Sequence, residues 1–371
     1  MLKRLHLKNF TVFADADFEF SPGLNVLVGT NGTGKTHVLK LGYAVEKARF
    51  NRREQFTPTM ITTPFGNSTA WTAMLYKVLP AVFESSYLDV LIRWNTKSQA
   101  EIDIDFWNSD ELLSFNLFPA DNSAERAASS LGHVAASASV EEVYKPVLMP
   151  AKDILTLSWM LPGSEQIKIP GESNYLDLFK QLRLLPLRNT NSFSAIAALT
   201  DIIGGEVVAE GDAYFLINTT GRRIAIGMIA EGIRKFGALQ KLLANGSLTK
   251  DTTLYWDEPE ANLNPALLRK LAAILVELAR QGFQIILATH STDLLKEFHI
   301  LSRQKDAKSL SIKYFGLNAE PGEATRIVST DNFELLPDVV ALSEELKQAD
   351  ELEEIFIRED REYYANNRGE E

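Results

Sequence analysis

Residues 29–36 read Gly-Thr-Asn-Gly-Thr-Gly-Lys-Thr, and this stretch decides the fold class. It fits the pattern G-x-x-x-x-G-K-[ST] without a mismatch. The apolar segment Leu24–Val28 before it predicts a buried strand, and the spacing of apolar residues after Thr36 predicts a helix. Glycines in such a loop allow successive backbone N–H groups to point at one centre, and the helix start adds the positive end of its dipole. The stretch therefore predicts a nucleotide-binding loop in an α/β protein.

Two side chains of this loop have predicted roles in holding ATP with Mg²⁺. We expect Lys35 to reach the β and γ phosphates and the Thr36 hydroxyl to be a ligand of the metal. The rest of the loop is predicted to contact the phosphates through Gly29, Asn31, Gly32, Thr33 and Gly34. A glycine-rich turn that matches by chance is the alternative, and the flanking strand and helix disfavour it.

A second apolar segment, Leu254–Trp256, is followed by two acids, Asp257 and Glu258. A Mg²⁺–nucleotide site needs a carboxylate at the end of a strand, which makes Asp257 the predicted metal ligand. Glu258 is then free to orient or deprotonate an attacking water. Neighbouring acids most often lie in a solvated turn, but the buried-type strand before them and the helix predicted from Pro265 favour a catalytic site.

A third apolar segment, Gln284–Ala288, is followed by Thr289 and His290. A single histidine is more often structural, yet this one ends a strand at the same predicted sheet edge as Asp257. We therefore expect His290 to donate to a γ-phosphate. Helices predicted at Gly227–Ala244, Pro265–Arg280 and from Thr292 alternate with these strands, which indicates a mostly parallel sheet.

In order, the motifs GTNGTGKT, LYWDEPEANLNP and ILATHS resemble those of the ABC-type ATPase heads of the RecF/SMC group. They are also similar to bacterial AAA-labelled relatives, including the ATPase part of the overcoming-lysogenisation-defect proteins. The resemblance implies an α/β P-loop NTPase with an ABC-type head, a mixed sheet and an inserted helical and strand lobe. It further implies that Asp257 is the Walker B aspartate and Glu258 the catalytic glutamate. Residues 260–265 would form the D-loop, in which Asn262 would bind nucleotide, and His290 would be the switch histidine.

The family also has a signature loop, usually Ser-x-Gly-x-x at a helix start, and residues 230–235, AEGIRK, are the corresponding stretch. Ala230 lacks the hydroxyl, so one γ-phosphate contact is missing. The resemblance implies that Glu231, Gly232 and Arg234 bind nucleotide, with the Gly232 amide, the helix start and the guanidinium compensating. The family's Q-loop glutamine has no clear counterpart, and Gln55 is the nearest candidate.

The distance along the chain between these motif groups predicts a discontinuous head. We predict that residues 1–50 and 227–335 form the ATPase head, that residues 51–226 form the inserted lobe, and that residues 336–371 form an acidic C-terminal helix and tail. The lobe has no sustained heptads, which indicates a compact unit and not a coiled-coil arm. Within it, residues 150–153, PAKD, resemble a recurrent motif of the bacterial relatives.

Secondary structure in the remaining segments is predicted from local patterns. In the lobe we expect strands at Leu88–Trp94, Glu101–Trp107 and Pro146–Met149 and a loop or weak helix in the Ala/Ser-rich residues 122–139. Two further segments are predicted as edge strands of the head, Ser309–Phe315 and Ala324–Val328.

Composition narrows the class of protein. The 371 residues are 45% hydrophobic and 23% charged, which is typical of a folded protein. The absence of cysteine excludes disulfides, thiolate nucleophiles, iron–sulfur clusters and cysteine-based zinc sites within this sequence. No apolar run approaches the roughly 18 residues that a membrane span needs, and charges interrupt the first ten residues. We therefore expect a cytoplasmic protein that makes no contact with a membrane.

Charge is uneven along the chain, whose net value is −11. Residues 338–371 contain 12 acids and 4 bases, so the rest is close to neutral. Global attraction to nucleic acid is therefore not indicated, although a local basic surface is compatible with these numbers. The candidates for such a surface, more often solvated side chains, are Arg52, Arg53, Arg183, Arg188, Arg222 and Arg223.

The resemblance implies a function for the whole chain. We expect a Mg²⁺-dependent ATPase that forms a homodimer through its heads, each contributing its signature loop to the other's nucleotide. Its output would be regulation of a separate effector protein, for which a nuclease is one candidate, in anti-phage defence or DNA maintenance. Two alternatives stay open: an ATP-gated DNA-binding clamp with little turnover, and a small-molecule kinase, which the DEPE run and His290 disfavour.

Overall fold

The computed structural model describes residues 1–94, 96, 98–107, 109–119, 131–137, 143–157, 173–187, 194–304, 310–336, 347 and 351–359. The strands in this part of the chain are β1 (Leu2–Phe10), β2 (Phe13–Glu19), β3 (Leu24–Gly29), β4 (Ala100–Phe106), β5 (Leu112–Leu117), β6 (Leu131–Ala136), β7 (Val147–Met149), β8 (Gly205–Glu210), β9 (Ala213–Asn218), β10 (Arg223–Ala225), β11 (Thr253–Asp257), β12 (Gln284–Thr289), β13 (Ile312–Asn318) and β14 (Arg326–Thr330).

The α-helices in the same residues are α1 (Lys35–Gln55), α2 (Pro58–Ile61), α3 (Pro64–Phe83), α4 (Ser173–Leu182), α5 (Ser194–Ile203), α6 (Glu231–Ala244), α7 (Pro265–Arg280) and α8 (Thr292–Ser302). Short 3₁₀ turns occur at Asp89–Leu91, Leu155–Leu157, Ile226–Met228 and Phe333–Leu335.

A six-stranded mixed sheet forms the centre of the fold, in the order β14-β13-β3-β12-β11-β7. All neighbouring pairs are parallel except β13 with β14. β12 is buried along its whole length, and β3 and β11 are buried except at their last residue, because helices cover both faces of the sheet. In register, Asp257 faces Ala288, and Thr289 faces Val28. The carboxyl ends of three motif-bearing strands therefore coincide, and the predicted fold class is confirmed.

Two apolar cores lie on opposite faces of this sheet. On one face, α6, α7 and α8 pack against Val26, Leu254 and Trp256. On the other face, α1 and α3 pack against Leu27, Tyr255 and the antiparallel sheet described next. The sheet is thus held between helices, as expected for a P-loop protein.

A five-stranded antiparallel sheet has the order β2-β1-β4-β5-β6. Strand β1 pairs with β2 on one side and with β4 on the other. Three strands from the range 51–226 therefore extend a sheet that begins at the N-terminus, and β7 from the same range is the edge strand of the central sheet. The sequence division at residues 50 and 226 does not coincide with a boundary between sheets, because these strands complete the hydrogen bonding of β1 and β11.

Other parts of the chain differ from the sequence predictions. The strand predicted at Leu88–Trp94 is wrong, because the segment forms a 3₁₀ turn in which Leu88 and Leu91 are buried and Trp94 is 83% exposed. Residues 131–136, predicted as loop or weak helix, form β6, whose Leu131 and Val134 pack into the core. Strand β13 lies inside the sheet, between β14 and β3, and is not an edge strand.

The remaining segments of the lobe and the tail are only partly described. Helices α3, α4 and α5 had no sequence prediction, and β8, β9 and β10 form a separate three-stranded sheet beside α6. Residues 351–359 of the predicted tail helix are helical and exposed. Most of the Ala/Ser-rich stretch, Arg188 and most other tail residues lie outside the described part. No helix in the described ranges is long and apolar enough to span a bilayer.

Candidate functional site

At two positions of the glycine-rich loop between β3 and α1, the backbone adopts a conformation that favours glycine. Gly32 and Gly34 have φ angles of 85° and 92°, in the left-handed region that side chains disfavour. A Cβ on Gly34, the N-cap of α1, would lie 2.5 Å from Val12 Cγ2, and one on Gly29 would lie 2.4 Å from the Leu317 carbonyl oxygen. The loop therefore keeps its open, N–H-rich shape because these positions lack side chains.

Lys35 is buried and folds back onto the loop. Its Nζ donates to the carbonyl oxygens of Gly29 at 2.7 Å and Thr30 at 2.9 Å. Burial lowers the pKa of Lys35, and the nearby acids Asp257 and Glu258 partly oppose this effect. Within the loop the Thr33 hydroxyl also donates to the Thr30 carbonyl, at 2.9 Å. The lysine is thus held by neutral backbone acceptors, which phosphate oxygens, as stronger acceptors, would replace.

Asn31 and Gly32 occupy the tip of the loop and are exposed. Their predicted phosphate contacts, like those of the other loop residues, stay predictions. The position of the tip is nevertheless compatible with them, because a nucleotide reaches this edge of the sheet from solvent.

Thr36 and Asp257, predicted as metal ligands, are brought together from distant parts of the sequence. The Thr36 hydroxyl donates to Asp257 Oδ2 at 2.9 Å. Burial raises the pKa of Asp257, an effect that this hydrogen bond only partly offsets. A hydroxyl and a carboxylate oxygen are donors that Mg²⁺ prefers, so the two residues fit the metal. Among the described residues no cluster of three or more His, Cys, Asp or Glu could hold a metal unaided.

Glu258 and His290 lie side by side at the ends of adjacent strands. Glu258 Oε1 is 3.5 Å from His290 Nδ1, and the two side chains are 33% and 53% exposed. Glu258 has a φ of 45°, an uncommon left-handed conformation for this residue type. Its backbone N–H donates to the Ala288 carbonyl at 2.9 Å. A partly exposed carboxylate is therefore fixed beside the metal-ligand candidates and a potential donor.

Glu260 also lies at this site, and its contacts there were not predicted from the sequence. Its Oε1 accepts hydrogen bonds from the Thr289 hydroxyl at 2.6 Å and from the His290 backbone N–H at 3.1 Å. The same oxygen is 3.5 Å from His290 Nδ1, and the side chain is 7% exposed. Glu260 thus connects the loop after β11 to the loop after β12. The resemblance places Glu260 at the start of the D-loop, but the sequence gives no sign that its side chain contacts Thr289 and His290.

Helix α6, at whose start the signature loop is predicted, begins at Glu231 and contacts the predicted D-loop of the same chain. Its N-cap, Ala230, makes no side-chain capping bond, as expected from the missing hydroxyl. Gly232 is buried, and a Cβ there would lie 2.6 Å from the Asn262 carbonyl oxygen. Asn262 is exposed and has a φ of 64°. Glu231, Gly232 and Asn262 therefore share one surface region, while their contacts with nucleotide stay predictions.

Two basic residues of α6 turn towards strand ends of their own head. Arg234 Nε forms an ion pair with Asp153 Oδ2 at 3.1 Å, and both side chains are largely buried. Lys235 Nζ donates to the Glu258 carbonyl oxygen at 3.2 Å. Asp153 belongs to the 150–153 motif that follows β7, whose residue Met149 is paired with Trp256. Arg234 is thus engaged by an acid in this conformation, and its nucleotide contact stays a prediction.

Other sequence candidates lie away from this site. Gln55 is exposed at the last residue of α1, about 30 Å along the helix from Lys35 at 1.5 Å per residue, which excludes it as a Q-loop residue. Arg52 is fully buried on Glu111, so its assignment to a nucleic-acid surface is wrong. Arg183 pairs with Asp212, and Arg223 pairs with Glu210.

The fold and the convergence of these motifs define a P-loop ATPase domain with an SMC/ABC-type head. The chain belongs to the family described as "AAA domain, putative AbiEii toxin, Type IV TA system", whose model matches residues 24–296. A second AAA-domain model matches residues 4–41.

Curated relatives match only a short segment. RecF, the DNA replication and repair protein, of Streptococcus uberis is 45% identical over 51 residues, which is 14% of this chain and 14% of that protein. RecF of Porphyromonas gingivalis is 36% identical over 77 residues, which is 21% of this chain and 20% of that protein. The chain thus aligns with no more than about a fifth of the length of these relatives.

Solved structures match nearly the whole chain. An SMC head bound to the C-winged helix domain of ScpA has a TM-score of 0.53 and 16% identity, and the match covers 90% of this chain and 98% of that one. An SMC head with an extended coiled coil, bound to the C-terminal domain of ScpA derived from Pyrococcus furiosus, has a TM-score of 0.50 and 14% identity, with 95% and 99% covered. At these identities the likeness shows the fold alone.

Proposed function

We propose that this protein is an ATP-binding and ATP-hydrolysing switch whose nucleotide lies at the carboxyl ends of β3, β11 and β12. The observation that carries the proposal is the 2.9 Å contact between the Thr36 hydroxyl and Asp257, which joins the phosphate loop to the paired acids. Thr36 and Asp257 would hold Mg²⁺, which would supply positive charge that offsets the charge of the phosphate oxygens.

Each side chain of the site has a task in this account. Lys35 exchanges the carbonyl oxygens of Gly29 and Thr30 for phosphate oxygens, which are stronger acceptors. Glu258 orients a water and accepts its proton as the water oxygen bonds to the γ-phosphorus and the bond to the β-phosphate oxygen breaks. His290 donates to the γ-phosphate from the neighbouring strand end. The products are ADP and phosphate, and loss of the γ-phosphate removes the contacts of Lys35 and His290.

Pairing of two heads is the second element of the proposal. The support is the surface shared by the first turn of α6 and the exposed Asn262, which offers helix N–H groups and a left-handed loop to a neighbour. In a head-to-tail homodimer this surface faces the nucleotide of the other copy. ATP then holds the two heads together, and hydrolysis favours their separation.

The output of the switch is proposed to be regulation of a separate effector protein in anti-phage defence or DNA maintenance, for which a nuclease is one candidate. The family description refers to a toxin–antitoxin system, and an SMC head of similar fold is bound to a domain of ScpA. In this account residues 1–50 and 227–335 carry the nucleotide site, and strands β4 to β7 of the range 51–226 complete the two sheets beside it. The protein acts in the cytoplasm.

An ATP-gated DNA-binding clamp with little turnover is the second candidate. The observation in its favour is the similarity of a short segment to RecF, which is named for DNA replication and repair. Against it, the basic candidates Arg52, Arg183 and Arg223 are engaged by acids of this chain.

The substitution Glu258→Gln separates these functions. It keeps the shape of the side chain but removes the proton acceptor, so we expect ATP turnover to fall about 100- to 1,000-fold with Mg-ATP affinity retained and an ATP-dependent dimer trapped. Turnover and dimerisation are measured by phosphate release and light scattering. Glu323→Gln, at an exposed ion pair with Arg326, is the control. If the wild-type protein hydrolyses ATP no faster than Glu258→Gln does, the switch is contradicted. If Glu258→Gln then also binds DNA in an ATP-dependent way, the clamp is favoured.

A further inference from the structure

The backbone of Glu258 is held by a lysine from a different part of the chain. Lys235 lies in the second turn of α6, is 5% exposed, and donates from Nζ to the Glu258 carbonyl oxygen at 3.2 Å. On the other side of the same residue, the Glu258 N–H donates to the Ala288 carbonyl at 2.9 Å. The Glu258 carbonyl also accepts from the Ala261 N–H at 3.1 Å within its own turn, so Lys235 is the donor to this carbonyl that comes from a different element.

These contacts matter because Glu258 is not in a relaxed conformation. A φ of 45° lies in the left-handed region, which a residue with a Cβ adopts at a cost unless its surroundings hold it there. The direction of the Glu258 carboxylate depends on this backbone angle. A contact that stabilises the angle therefore sets where the carboxylate points.

Acids on several elements lie near the ammonium group of Lys235. Burial lowers the pKa of Lys235, and four acids partly oppose this effect: Glu260 and Glu258 in the loop after β11, Glu231 one turn away on α6, and Asp153 after β7. The neighbouring Arg234 engages Asp153 directly. The hydrogen bond that the structure gives Lys235 is nevertheless to the backbone of Glu258.

A second lysine of the same helix shows that burial alone does not produce such a contact. Lys241 is 7% exposed and lies with Nζ 5.9 Å from the centre of the Tyr214 ring. Within the described ranges its ammonium group forms no ion pair or hydrogen bond, although its backbone carbonyl accepts one from the Asn245 N–H at 2.9 Å. The two lysines therefore share a helix and a degree of burial, but only Lys235 reaches a strand end of the nucleotide site.

We propose that Lys235 is a positioning residue, which holds Glu258 in the backbone conformation that places its carboxylate for water activation. The proposal rests on the proposed ATP hydrolysis and goes beyond it. It gives helix α6 a role within its own head, in addition to the contact of its first turn with a second copy. A displacement of α6 at the dimer interface moves the donor of Glu258, so that pairing of the heads and hydrolysis are linked through Lys235.

Lys235→Met tests this role, because methionine keeps the apolar stem and removes the donor. We expect kcat for Mg-ATP hydrolysis to fall about 10- to 100-fold, the range for losing a charged hydrogen bond that positions a reacting group. Mg-ATP affinity is expected to stay within about twofold, because Lys35 and Thr36 are untouched. Lys241→Met is the matched control: it removes a buried cation from the same helix and should keep both values within about twofold.

The division between kcat and affinity distinguishes positioning from a structural role, since general loosening of the head lowers both. Lys235→Gln, which keeps a shorter and neutral donor, provides a second variant if the methionine variant does not fold. A wild-type kcat in either folded Lys235 variant overturns the inference, as does an equal loss in Lys241→Met. Absence of turnover in the wild-type protein would instead overturn the proposed function itself.

Discussion

The two ends of helix α1 bury charge in different ways. At its first turn, Lys35 donates to backbone carbonyls although Asp257 is near, and the pKa of Asp257 is raised by burial. At its far end, Arg49 and Arg52 donate to the two oxygens of Glu111 at 2.7 and 2.6 Å. Glu111 itself is 0% exposed.

The difference between the cluster around Lys35 and the cluster around Glu111 indicates which of them binds a ligand. The far cluster is completed by the chain itself: the Trp71 indole N–H also donates to Glu111 at 3.1 Å, and the Arg52 guanidinium lies 4.6 Å from the Trp71 ring centre. Burial there lowers the pKa of Arg52 to about 10, an effect that Glu111 partly opposes. The near cluster, formed by Lys35, Asp257 and Glu258, has no such internal pairing, because the lysine forms no ion pair with either acid. Charges of this kind are stabilised when a phosphate and a cation bind.

The largest effect that this comparison predicts is on stability. Glu111→Ala leaves two buried guanidinium groups without their carboxylate, and the free energy of unfolding should fall by about 3 to 5 kcal/mol. Denaturant unfolding measures the change, and Glu101→Ala, at an exposed 3.8 Å ion pair with Lys8, should change stability by less than about 0.5 kcal/mol. The folded variant should bind Mg-ATP normally, and weakened binding would show that the two clusters are not independent.

At the near end, the same reasoning predicts a loss of function without a loss of stability. Asp257→Asn removes a carboxylate whose charged form is disfavoured by burial, so the free energy of unfolding should stay equal or rise. Mg-ATP affinity should fall about 10- to 100-fold, or about 1.4 to 2.7 kcal/mol, because a metal ligand is lost. Melting curves and a magnesium titration of ATP binding check both parts. A clear destabilisation would mean that Asp257 is structural, like Glu111.

A smaller effect is expected where α6 meets the D-loop. Gly232→Ala introduces a Cβ that would lie 2.6 Å from the Asn262 carbonyl oxygen, and moving that backbone should cost about 1 kcal/mol of stability. ATP turnover should fall several-fold more than this loss explains, because Asn262 and Glu258 share one loop. Gly227→Ala, where nothing lies within 4 Å of the added Cβ, is the control and should change neither stability nor turnover. Equal turnover in the two variants would show that the position of the D-loop does not affect ATP hydrolysis.

The sequence predicts those parts of the site whose chemistry is local. The phosphate loop, the pair of acids and His290 each follow an apolar strand, and the parallel sheet brings strand ends together without further information. The contacts of Lys235 with Glu258 and of Glu260 with Thr289 join separate segments, so no local pattern indicates them.

The fold of the range 51–226 was less predictable for the same physical reason. Strand β4 alternates clearly, but its pairing with β1 is a long-range contact. Helix α3 contains Gly66 and Pro80, which interrupt the local helix signal, and its packing against α1 is what stabilises it. The apolar residues of Leu88–Trp94 are compatible with a strand, yet the chain turns there because Leu88 and Leu91 enter the core.

Equilibrium binding of Mg-ATP to the wild-type protein and to Lys35→Met tests the central claim most directly, namely that the strand ends converge on one triphosphate. The wild-type protein should bind, and the variant should bind at least about 100-fold more weakly, because the lysine that meets the β and γ phosphates is gone. Unfolding curves of both proteins verify that the fold is intact. Equal affinity in two folded proteins, or no binding by the wild-type protein, would contradict the account.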